Sequence, residues 1–163
     1  MDAREKDELR RKINLLDVDG KTFKNPDDKR KSSYSGTFMG NLVSPDDGPR
    51  AFEATSVRIS ESDWYRATGN YGVGEWIVLN VRPAEAGKYD IITFDEWSSG
   101  KVGVLIGGFL KYNIPLSSLQ GTITIDVKSS DAFKVSSLNC EASIEGKKYS
   151  FSNGEVSIEK VGL

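Results

Sequence analysis

The sequence predicts an all-β protein, an antiparallel sandwich or barrel of about eight or nine strands with one amino-terminal helix, on three observations. Apolar residues alternate with polar ones over several short runs, glycine- and asparagine-containing turns separate those runs, and the only helical periodicity lies at the amino terminus. With 163 residues the chain is long enough for one domain with a substantial core, and no hinge or low-complexity tract divides it. The expected organisation is a helix over residues 1–17 and a β domain over 34–163.

In the helix, Asp2 stands where an N-cap belongs, with Glu5 three residues on in the capping-box position, and Leu9, Ile13 and Leu16 form a narrow apolar stripe. The pairs Arg4 with Glu8, Asp7 with Arg11 and Glu8 with Lys12 would add only about 0.2 to 0.5 kcal/mol each, so the helix needs a surface to dock on. Docking against one end of the β domain is the expected arrangement, with a partner-binding arm as the alternative. Asp19-Gly20 reads as a turn and 25–33 as a polar loop carrying Lys29, Arg30 and Lys31.

Strands are expected at 35–43, 52–60, 76–82, 88–94, 102–110, 122–128 and from Phe133 onward. Val57 and Ile59, then Ile77, Leu79 and Val81, then Ile123, Ile125 and Val127 alternate with their neighbours as half-buried antiparallel strands do. At the carboxy terminus, residues 139–160 predict a three-stranded meander. Asn153-Gly154 suits a type I′ hairpin loop, which sets Phe151 opposite Val156; a Gly146-Lys147 loop sets Ile144 opposite Tyr149 and Ala142 opposite Phe151. Glu145, Lys148 and Glu159 then form a row on the opposite face.

Composition narrows the function. Lysine and arginine number 22 against 24 acidic residues, a net charge of −2, so no basic field gathers nucleic acid or an anionic membrane, and neither is an expected partner. Histidine is absent, which removes the commonest general base and the usual catalytic zinc sites. The single cysteine forms no intramolecular disulfide, and Cys140, in phase with Leu138, Ala142 and Ile144, is expected to be buried and inert. The first eight residues show no apolar signal segment and the longest apolar run spans nine residues, so a cytoplasmic protein is expected unless a leader has been removed.

Three motifs fail on their chemistry. The run from Asp17 to Asp28 has the length of a calcium loop but carries Lys21 and Thr22 where an oxygen ligand and a glycine belong, and no metal is expected. The glycine-rich stretch 69–74 leads into a strand, not a helix, and lacks a phosphate-binding lysine, so no nucleotide or other cofactor is expected. Asp90, Asp95 and Glu96 near Trp97 suit turns better than a pair of hydrolytic carboxylates.

The aromatic density between residues 64 and 97 is the feature least accounted for by packing. Trp64, Tyr65, Tyr71, Trp76 and Trp97 are the candidate binding residues, because a rigid ring covers much area at small entropic cost. The leading expectation is a non-enzymatic module that recognises another protein, with a toxin-neutralising or assembly role as one setting. A carbohydrate- or small-ligand-binding module using the same aromatics comes second, and a carboxylate-based hydrolase third.

Overall fold

The structure is a computed structural model that describes residues 1–16, 33–71, 75–108 and 119–161, the side chain of Ile144 excepted. Helix α1 spans Ala3–Asn14 and a short helix α2 spans Phe94–Ser98. Ten strands are described: β1 Ser33–Ser44, β2 Gly48–Glu53, β3 Ser56–Ser60, β4 Tyr65–Tyr71, β5 Glu75–Val81, β6 Gly87–Ile91, β7 Val104–Gly107, β8 Gln120–Lys128, β9 Ala132–Ile144 and β10 Lys147–Val161. They form one sheet in the order β2-β1-β10-β9-β8-β6-β7-β5-β4-β3, curled into a half-barrel. One pairing, β6 with β7, is parallel, because α2 carries the chain across between them, so the sheet is mixed where an all-antiparallel one was expected. The chain bends at Ala54-Thr55, and β2 and β3 lie at opposite ends of the strand order although they follow each other in sequence.

The inside of the curl is apolar. Phe38, Phe52 and Phe151 meet edge to face with centroids 5.8 to 6.5 Å apart. Ile77, Leu79, Val81, Ile123, Ile125, Phe133 and Ile158 complete this interior, as their alternation requires. A second, smaller cluster of Leu15, Trp76 and Val78, with Leu16 against it, lies on the other face of β5. There the end of α1 packs on the sheet.

The carboxy-terminal register differs from the expected one. Residues 147–161 run as a single strand, and Asn153-Gly154 forms a bulge within it instead of a hairpin loop. Phe151 and Val156 are five residues apart, so a regular strand would place them on opposite faces; either a hairpin or an extra residue restores both to the core. The partners decide. β10 lies between β1, which pairs with Ser150 to Val161, and the 13-residue β9, which pairs with Lys147 to Glu159, and a turn at Asn153 would forfeit that pairing. The only turn in this region is Glu145-Gly146, with φ 51° and 79°, which sets Ile144 opposite Lys147, Ala142 opposite Tyr149 and Cys140 opposite Phe151. The expected charge row is replaced by Lys148 with Glu141 and Lys134 with Glu159, each at 2.9 Å.

Four other boundaries differ. The 52–60 run is two strands; the 88–94 strand ends at Ile91, and Thr93 with Glu96 forms a capping box that starts α2. Of the 102–110 run, 104–107 is strand and 109–110 lie outside the described residues. Strand β4 has no counterpart in the sequence reading, since Arg66, Thr68 and Asn70 on one face and Gly69 on the other mask its pattern. The candidate calcium loop 17–28 and the 29–31 basic triplet lie outside the described residues, as do 72–74 of the glycine-rich stretch. No helix among the described residues is long and apolar enough to cross a membrane.

Candidate functional site

Helix α1 docks by its end. The last carbonyls of a helix have no partner within it, and here the outer face of β4 and β5 supplies donors for three in succession. Arg66 Nη2 donates to the Lys12 carbonyl at 3.1 Å, Asn80 Nδ2 to Ile13 at 3.0 Å, and Trp76 Nε1 to Asn14 at 2.9 Å. Asn14 in turn accepts the Gly108 N–H through Oδ1 at 2.8 Å. Leu15 turns into the left-handed region to end the helix, so Leu15 joins Ile13 as a buried contact while Leu16 is half-buried. The Arg66 cation faces the negative end of the helix; burial works against its charge, and Asp63 at 3.3 Å supports it. At the other end Asp2 accepts the Glu5 N–H at 2.8 Å, and the Asp7–Arg11 and Glu8–Lys12 pairs form.

This arrangement places most of the candidate binding residues. Trp76 is 8% exposed and carries the helix end. Trp97, 3% exposed, packs its ring against Trp64 at 5.3 Å, and the stack is closed by Arg66 over Trp64 at 4.5 Å and Arg82 over Trp97 at 3.9 Å. Trp64 is half-buried and donates through Nε1 to Asn80 Oδ1 at 2.7 Å. Tyr65, 7% exposed, donates its hydroxyl to the Ser129 carbonyl at 2.8 Å beside Phe133, and burial pushes its phenol pKa up.

Tyr71 is placed differently. It ends β4 with 38% of its surface exposed, and its ring is held from two sides, by Phe52 at 5.9 Å and by the Arg50 guanidinium at 5.8 Å. Arg50 is itself fixed by Glu75 at 3.0 Å. Strands β2, β4 and β5 thus bring an aromatic face, a cation and a carboxylate together from positions 50, 71 and 75. Sequence reasoning found Tyr71 through aromatic density but missed Arg50 and Glu75, because no local pattern links a residue on β2 to the β4–β5 connection.

The structure gives Glu96 other work. Glu96 accepts the Thr93 N–H at 3.0 Å and pairs with Lys101 at 2.6 Å; these contacts, Lys101 foremost, hold its pKa below the usual carboxylate range, the opposite of what a general acid needs. Cys140 is 5% exposed, and burial pushes its thiol pKa up to about 12. Among the described residues no group of three or more acidic or cysteine side chains is placed to hold a metal ion. Comparison of the chain with protein-family models, with curated proteins and with solved structures finds no match.

Proposed function

We propose that this protein is a non-enzymatic module that binds another protein, with Tyr71 at the centre of the contact and Arg50 and Glu75 beside it. One observation carries the reading. Among the described residues Tyr71 is the only aromatic in the set of large apolar side chains left exposed, the others being Met1, Val102, Val127 and Val161. Tyrosine and arginine are the residue types that dominate the energetics of protein interfaces, and a ring already held between Phe52 and Arg50 loses little freedom on binding. The net charge of −2 gives little long-range steering, so salt should affect binding weakly.

The test is an affinity capture from the native host with wild-type bait, followed by affinity measurement on the recovered partner. Tyr71→Ala should weaken that complex by about 2 kcal/mol, roughly 30-fold, in a protein whose circular dichroism shows it still folded. A folded Tyr71→Ala protein that binds the recovered partner as tightly as wild type removes this surface from consideration.

A further inference from the structure

On the outer face of β8, β9 and β10 a depression of about 590 Å³ crosses three strands. Its sides are two rows of outward side chains set by the register, Gln120, Glu141 and Ser150 on one side and Thr122, Asn139 and Ser152 on the other. Alternate residues of a strand are roughly 7 Å apart, which fixes its width. The floor is backbone, from Gly121, Cys140 and Phe151, and both of the larger side chains turn into the core. A Cβ at Gly121 would collide with the Asn139 carbonyl, so the two strands approach closely at the floor.

The one charged residue in the lining of this groove, Glu141, is already paired. Lys148 pairs with Glu141 at 2.9 Å, Gln120 Nε2 donates to the same carboxylate at 2.9 Å, and these contacts, Lys148 foremost, hold Glu141 below the usual carboxylate range. Neither an anion nor a cation finds an uncompensated charge in that lining. An apolar ligand finds no apolar side chain, and an added peptide strand finds no free backbone, since β8, β9 and β10 pair with neighbours on both sides. What remains is neutral hydrogen bonding. The hydroxyls of Thr122, Ser150 and Ser152 have no partner among the described residues, and the Asn139 amide is fixed by donating to Ser137 Oγ at 3.2 Å and accepting the Asn153 N–H at 2.9 Å.

We propose that this groove is a binding site for a neutral, polyhydroxylated ligand, an uncharged oligosaccharide chain lying across the three strands. The proposal is independent of the protein-binding surface at Tyr71.

The test is an NMR titration of the whole protein with uncharged hexasaccharides of glucose and of N-acetylglucosamine, with a hexauronate as charged control. Expected are saturable amide shifts at 120–122, 139–141 and 150–152 with a neutral sugar, none with the hexauronate, and at least about tenfold weaker binding by Thr122→Val/Ser152→Ala, which removes two hydrogen-bonding groups. Gln120→Ala, at an exposed position, gives a second variant should the first fold poorly, and it too should weaken binding. No saturable shift with any neutral sugar at millimolar concentration, shifts centred elsewhere, or equal affinity in folded variants would each overturn the proposal.

Discussion

Replacing Asn80 tests the docking of α1 most sharply. Asn80 is completely buried, and its amide makes three hydrogen bonds, accepting from Trp64 Nε1 at 2.7 Å and donating to Ile13 O at 3.0 Å and Leu105 O at 2.9 Å. Asn80→Ala leaves an indole N–H and a helix-terminal carbonyl buried without that partner; at about 1 to 3 kcal/mol for each orphaned group, and with partial relaxation, a loss of about 3 kcal/mol is expected. Asn80→Asp is the more informative change. It preserves shape and the acceptor for Trp64 but places a carboxylate oxygen against two carbonyls, so it should destabilise more than alanine at pH 7 and recover partly at acid pH as the carboxyl is protonated into a donor. Urea unfolding at pH 7 and pH 5, read by circular dichroism, measures both. An Asn80→Asp protein within about 0.5 kcal/mol of wild type would mean that the amide is solvated and that the helix end is not held as described.

Other outcomes follow from the same packing. Phe151, 1% exposed and packed on Phe38 and Phe52, should cost about 3 to 5 kcal/mol on replacement by alanine, and an unchanged melting temperature would refute its core position. Cys140 should resist a thiol reagent until denaturant is added. Because its folded pKa of about 12 lies above that of an exposed thiol, near 8.5, the unfolded state loses its proton first, and the thiol's contribution to stability should fall as pH rises from about 9 towards 12. Comparison with Cys140→Ala isolates that slope, which the variant should lack. Glu145 sits at φ 51° as the first loop residue before Gly146, so Glu145→Asn should raise stability by about 0.5 kcal/mol in urea unfolding, and a loss would contradict the turn geometry.

The β-rich class, the docked amino-terminal helix and most of the core faces were legible because they depend on period. Ile77, Leu79 and Val81 face inward and Trp76 and Val78 outward, as alternation alone requires. The capping role of Asp2 was equally local. Strand β4 was not legible. Its outward residues Arg66 and Thr68 are polar yet buried, and Gly69 is small because the Phe38 ring lies against it from β1, a contact between residues thirty-one positions apart. The candidate binding residues were found by density, and density does not separate Tyr71, left exposed, from Trp76 and Trp97, which α1 and α2 draw into contact.

Asn153-Gly154 shows the division most clearly. The sequence by itself determined that the face of the strand must be reset between Phe151 and Val156, because both are apolar and they lie five positions apart, an odd step. Whether the chain resets by turning back or by bulging depends on what lies alongside. Only the tertiary structure, by placing β10 between β1 and β9 from Ser150 to Glu159, decided for the bulge: a continuous strand keeps hydrogen-bonded partners on both edges, and a hairpin would have left those edges unpaired.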